Sequence, residues 1–200
     1  IQSMAGVREA SPEFFTSLRQ LCDDLGIILI FDEVQTGIGR TGSWFFAGSE
    51  NAGGVVPDIV TLAKSLGSGV PVGACIVSDD IEAHIKTNDL GTTFGGGMLA
   101  MAAVLATLEA IEDDEMILNA ARIEQHLRDS LAGVPGVTAI HGKGCLLGIE
   151  FGEPCAEIHK KLLSKNIITG TSSDPKVLRL LPPMMVTTDE IDLLVDELRT

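Results

Sequence analysis

Residues 27–42 read IILIFDEVQTGIGRTG, a run of bulky apolar side chains that ends on two carboxylates, Asp32 and Glu33, and then on a glycine-rich loop. A strand built for burial gains nothing from ending on charge unless the charge meets a partner. Two chemistries use this pattern. In a nucleotide hydrolase the carboxylates hold magnesium and water; in the other, a carboxylate faces the ring nitrogen of a pyridine cofactor. The first also needs a phosphate loop ending in Gly-Lys-Ser/Thr, and residues 1–200 contain none. That absence decides little alone, because such a loop precedes its strand and IQSMAGV opens as though cut from something longer.

The residues downstream favour the pyridine. In PDIVTLAKSLG, Lys64 stands just past a second apolar run. At a buried strand edge its amine is expected to be partly desolvated, which lowers its pKa and frees it for imine chemistry. Further on, GTTFGGG (residues 91–97) offers hydroxyls and open backbone amides ahead of a helix, a pattern suited to an anion. A carboxylate, an amine and an anion cradle are the fixtures that pyridoxal phosphate needs. Each is weak evidence alone, and their order makes them specific.

The elements that must position them can be read from periodicity. Ser11 and Pro12 start a helix whose apolar positions Phe14, Phe15, Leu18, Leu21, Cys22 and Leu25 recur at three- and four-residue spacing, and Gly26 stops it. Ile27–Phe31, Ile59–Leu62 and Val72–Val77 lack alternation, which predicts strands covered on both faces and hence a parallel α/β sheet. A small-apolar helix over 98–112 leads to Asp113-Asp114-Glu115, where the texture changes. Beyond it come a helix over about 115–132, paired strands over 137–141 and 145–151, a helix over 155–165 and a strand over 177–181. A last helix opens on the capping box Thr187-Thr188-Asp189-Glu190. The expected organisation is residues 1–113 as the C-terminal portion of a large α/β cofactor-binding domain, and 114–200 as a small α+β domain.

Composition narrows the partners. The formal charge of −14 over 200 residues disfavours nucleic acid and anionic membrane. No apolar run has spanning length and no signal peptide is visible, so a cytoplasmic protein is expected. Cys22, Cys75, Cys145 and Cys155 form no C-x-x-C pair and read as buried free thiols. The scattered histidines give no ligand spacing, and no metal is expected.

The segments IQSMAGV, LIFDEVQTGIGRTG, PDIVTLAKSLGSGVPVGA, GTTFGGG, GKGCLLGIEF and VLRLLPP together resemble the class III pyridoxal-phosphate-dependent aminotransferases of fold type I, acetylornithine and ornithine type. They cover the later half of such an enzyme. The resemblance implies a mostly parallel sheet with flanking helices plus a smaller C-terminal domain. It also implies transfer of an amino group from an ω-amino or α-amino donor to a 2-oxo acid, 2-oxoglutarate above all. By the same likeness Lys64 is the Schiff-base lysine and proton shuttle, and Asp32 pairs with the pyridine nitrogen. Val34 lies against the ring and Gln35 near its phenolic oxygen. Thr93 contacts the cofactor phosphate of a neighbouring subunit, which implies a homodimer with a shared active site. Arg179 grips the substrate carboxylate, while Arg40 braces its own loop.

Two positions depart from the pattern. Ser3-Met4 stands where the family has Gly-Glu, whose glutamate pairs with the carboxylate-binding arginine. Gly97-Met98 replaces Asn-Pro, which frees the loop carrying Thr93. The substrate pair is therefore open, with an aminomutase or an amine transaminase as alternatives within the fold. Because the family's first phosphate loop and ring-stacking aromatic would lie upstream, residues 1–200 alone are expected to bind cofactor poorly and to be inactive.

Overall fold

A hydroxyl, a proline and a glycine bracket the first helix. In the computed structural model, which describes residues 1–200, α1 runs over Pro12–Leu25. The Ser11 hydroxyl accepts the Phe14 amide, and Gly26 adopts the left-handed conformation (φ 63°) that closes it. Cys22 packs with Leu29 and Val55, and Phe15, Leu18 and Phe31 close around them. Phe14, Leu21 and Leu25 stay exposed, so half of the helix's periodic apolar positions lie outside this core.

Three strands follow: β1 (Ile30–Asp32), β2 (Ile59–Leu62) and β3 (Ala74–Val77). They form one sheet in that order, parallel between β1 and β2 and antiparallel between β2 and β3. The expected cover on both faces is missing within these residues. Leu29 and Phe31 face the α1 core, whereas Ile30 is 55% exposed and Ile28 and Ile76 are exposed with it. Cys75, on β3, is exposed too, against the expectation of a buried thiol. Continuous apolar character records that a strand tolerates burial on both sides; it does not supply the second layer.

The short helix α2 (Asp79–Glu82) and the long α3 (Met98–Asp113) complete this part. Of α3 only Ile111 is buried, and the helix packs against the 3-10 turn Lys64–Gly67.

The remaining elements are α4 (Met116–Leu131), β4 (Val137–Lys143), β5 (Leu146–Phe151), α5 (Ala156–Ser164), β6 (Val177–Leu180) and α6 (Thr188–Arg199). The three strands make an antiparallel sheet with β5 in the centre. Central position explains burial: Leu146, Leu147 and Ile149 are fully buried, as are Ile123 and Leu127 of α4, Leu162 of α5 and Val177 and Leu178 of β6. Burying each such side chain stabilises by roughly 1.5–3 kcal/mol, so this core anchors everything mounted on its sheet. The predicted capping box of α6 is present, with Thr187 and Glu190 bonding each other's backbone amides.

The chain divides into two compact units. One is Ser11–Ile38 with Ser43–Asp113; the other joins Ile1–Ala10 and Gly39–Gly42 to Asp114–Thr200. The two short segments join the later unit through side chains that periodicity does not report. Arg40 donates to the carbonyls of Cys145 and Pro182, bracing its loop on the β5–β6 region. Val7 fills a notch left by Gly142 and Gly148, where a Cβ would approach Val7 Cγ1 to 2.8 Å and Val7 Cβ to 3.0 Å. Val7 holds φ at 54° there, a strained conformation for a β-branched residue that costs about 1–3 kcal/mol and persists only under strong packing.

Candidate active site

Asp32 and Lys64 leave neighbouring strands at the same edge. Asp32 is the last residue of β1 and stands opposite Thr61 of β2 in the parallel pairing. Leu62 ends β2, Ala63 follows, and Lys64 opens the 3-10 turn. Both residues therefore sit at the carboxyl ends of adjacent parallel strands, the edge at which open α/β sheets place ligands. Lys64 has φ 46°, and Ser68 beyond it also has φ 46°. Two non-glycine residues in left-handed backbone within five positions mark a turn whose shape is held by its surroundings. Buried Leu66 is the anchor.

Within residues 1–200 the expected desolvation of Lys64 is not met, because its side chain is exposed. The strand stops two residues earlier, at Leu62, and the lysine stands on the turn beyond it. Asp32 is exposed as well, and one of its oxygens accepts the Val34 amide at 3.0 Å. That bond orients the carboxylate and leaves it open to a ligand.

Glu33 does something else. It is 2% exposed, and its oxygens accept the amides of Phe46 and Ala47 at 2.7 Å each and the Thr36 hydroxyl at 3.1 Å. The two carboxylates of the opening motif thus divide: Asp32 faces outward and Glu33 is an internal clasp holding the 43–47 segment. Nothing in the sequence separated their duties except strand alternation, which sends neighbouring residues to opposite sides. Val34 and Gln35 are half-buried at the start of the loop that Glu33 ties down.

Thr93 is exposed, in an open loop that precedes α3. Its neighbour Thr92 accepts the Gly95 amide at 3.3 Å, which folds the loop on itself. Residues 91–97 are all exposed; the Gly97 amide is also taken, by the Phe94 carbonyl at 3.2 Å, which leaves the amides of Thr93, Phe94 and Gly96 open to an anion.

Arg179 lies in the other unit, on β6, and its backbone pairs with Gly170 in both directions at 2.8 Å. The guanidinium is held by neutral oxygens: Nη1 donates to Ser3 Oγ at 3.0 Å and Nε to the Thr171 carbonyl at 2.5 Å. Met4 is 60% exposed, and its carbonyl accepts both the amide and the hydroxyl of Ser173 at 2.8 Å. The contact of Ser3 with Arg179 joins residues 176 apart in sequence, and no local pattern announces it.

A sequence model of class-III aminotransferases matches residues 1–200. The chain belongs to that family. Among curated class-III relatives, acetylornithine aminotransferase 1 of Bordetella bronchiseptica is 39% identical over 199 residues, covering 98% of this chain and 50% of that protein. The acetylornithine aminotransferase of Bacillus subtilis is 42% identical over 202 residues, covering 100% of this chain and 51% of that one. The chain therefore spans about half the length of the curated relatives it matches. Among solved structures, the ornithine aminotransferase of Toxoplasma gondii, described with partial occupancy of PLP at its active site, aligns at a TM-score of 0.85 with 29% identity, over all of this chain and 48% of that one. The architecture is that of fold type I aminotransferases, a mixed α/β assembly of helices and small sheets.

Proposed function

We propose that the protein acts in pyridoxal-phosphate-dependent transfer of an amino group from an acetylornithine- or ornithine-like ω-amino donor to a 2-oxo acid. The single observation that carries this reading is the placement of Asp32 and Lys64, a carboxylate and an amine at the ends of adjacent parallel strands, within a chain that matches the class-III family from residue 1 to residue 200.

The residues present fit the cofactor. Asp32 has a carboxylate oriented by Val34 and open to a ring nitrogen, Lys64 has an exposed amine, and the 91–97 loop keeps the Thr93, Phe94 and Gly96 amides for a phosphate, those of Gly95 and Gly97 being bonded within the loop. When bound, pyridoxal phosphate supplies a conjugated ring that stabilises negative charge developing on the substrate carbon. Asp32 would pair with the ring nitrogen and hold a proton there. Lys64 Nζ would hold the cofactor covalently and, as a free amine, would move the proton taken from the substrate carbon. Val34 would pack against the ring and Gln35 would lie beside its oxygen. Arg179 grips the substrate carboxylate, for which a planar fork suits bidentate contact.

On the same reading residues 1–113 belong to the large cofactor-binding domain and 114–200 to the small one. Thr93 serves the phosphate of a neighbouring copy, so the working form is a homodimer, in the cytoplasm. No helix is long and apolar enough to cross a membrane.

Donor screening with 2-oxoglutarate as acceptor tests the reaction. Amino acids bearing a carboxylate are expected to react, and carboxylate-free amines to react poorly. Equal rates with both would favour an amine transaminase instead.

A further inference from the structure

The first eight residues form a small hairpin. Gln2 and Arg8 exchange backbone hydrogen bonds at 2.8 and 3.2 Å, and the Gly6 and Val7 amides return to the Ser3 carbonyl. Three contacts hold it on the β4–β5–β6 sheet. Val7 fills the Gly142–Gly148 notch, Arg8 pairs with Asp174 at 2.7 Å and with Glu150 at 3.2 Å, and the Met4 carbonyl takes Ser173. So mounted, the hairpin presents one side chain to Arg179: Ser3, which is 6% exposed and accepts from Nη1.

We propose that Ser3 is a positioning and specificity-determining residue, a neutral acceptor that fixes the Arg179 guanidinium while leaving its charge uncompensated for a substrate carboxylate. This rests on the assignment of Arg179 as the carboxylate clamp. A guanidinium carries five N–H donors in a rigid plane. Thr171 takes the one on Nε and Ser3 takes one on Nη1, which sets the plane by two points and leaves the others free. Neither partner carries charge. A carboxylate in place of Ser3 would orient the plane equally well, but an incoming anion would then compete with it. The strained Val7 backbone beneath it fits a hairpin held for its placement.

Isothermal titration of the intact protein with glutarate, a dicarboxylate with neither amino nor keto group, tests this without turnover. The unsubstituted protein and Ser3→Thr are expected to bind alike, since both offer a hydroxyl. Ser3→Ala is expected to bind about tenfold more weakly, the size of one hydrogen bond to a charged group. Ser3→Cys, near-isosteric but a poor acceptor, should fall with it, and it stands in if the alanine form does not fold. Ser3→Asp should bind more weakly still, with affinity returning as its carboxylate is protonated in acid. Arg179→Ala should not bind.

Undiminished binding by Ser3→Ala or Ser3→Cys, with Arg179→Ala silent, overturns the role of Ser3 and leaves the arginine's intact. Unchanged binding by Arg179→Ala, or no binding by the unsubstituted protein, overturns the arginine's assignment and the proposal with it. In turnover, Ser3→Ala should raise KM for carboxylate-bearing substrates with little change in kcat, and should leave carboxylate-free amines unaffected. A uniform loss across both substrate classes would contradict positioning.

Discussion

Glu33 accepts the Phe46 amide at 2.7 Å from inside the protein, while the adjacent Asp32 opens to solvent. The structural role of Glu33 and the chemical role proposed for Asp32 therefore fall on consecutive residues, and the two can be separated by substitution. Glu33→Gln places an amide donor where a carboxylate oxygen accepts a backbone N–H, and it weakens charge-assisted bonds in a buried site. We expect a loss of about 2–4 kcal/mol, measured by denaturant unfolding. Asp32→Asn, at an exposed position, should change stability by less than about 0.5 kcal/mol.

The same Asp32→Asn substitution should be severe in catalysis. Removing one preorganised electrostatic partner of a developing charge costs on the order of a hundredfold or more in kcat. Steady-state turnover of the intact protein, with cofactor saturating, checks it. Turnover within threefold of the unsubstituted protein would mean that Asp32 only ends a strand.

Acid should loosen the amino-terminal hairpin. The hydrogen bond from His141 and the charge of Arg8 hold the Glu150 carboxyl below its ordinary range, and the Lys176 amide and Arg8 do the same for Asp174. A depressed carboxyl stabilises the fold at pH values above its unfolded pKa, and that stabilisation is lost as pH falls through the folded value. Hydrogen exchange at the Gln2 and Arg8 amides should therefore be protected near neutrality. Protection should fade below about pH 4.5, where unfolded carboxylates begin to protonate. In Glu150→Gln the fading should be shallower. Acid-independent protection would contradict the role of these pairs.

The four cysteines should differ in reactivity. Burial pushes the Cys145 thiol up to about 11, against a modest opposing pull from Arg40, and burial also raises Cys155. Cys75 is exposed on β3. Thiol titration of the native protein near pH 8 should label Cys75 rapidly and leave Cys22, Cys145 and Cys155 until unfolding. Rapid labelling of more than one thiol would contradict the packing described here.

Local chemistry was legible in the sequence where it acts locally. Ser11, Gly26 and the Thr187–Glu190 box cap their helices because each needs only its own neighbours. β2 spans Ile59–Leu62 as its apolar run indicates. Exposure was not legible. Ile30 and Cys75 have the character of covered residues, but cover depends on a second layer that periodicity cannot locate. The antiparallel entry of β3 and the left-handed turn at Lys64 depend on how strands pair and where they stop. The contacts of Ser3 with Arg179, 176 residues apart, and of Glu33 with Phe46, 13 apart across a loop, are made through single polar atoms, so no spacing foretells them.

Reductive trapping tests the proposed role of Lys64 most directly. The protein, together with the upstream half expected of its family rather than residues 1–200 alone, is mixed with pyridoxal phosphate, reduced with borohydride, and mapped by peptide mass analysis. A stoichiometric pyridoxyl tag on Lys64, lost in Lys64→Ala and weakened in Asp32→Asn, is the expected result. Tags scattered over several lysines in an intact, folded protein would contradict the assignment of Lys64.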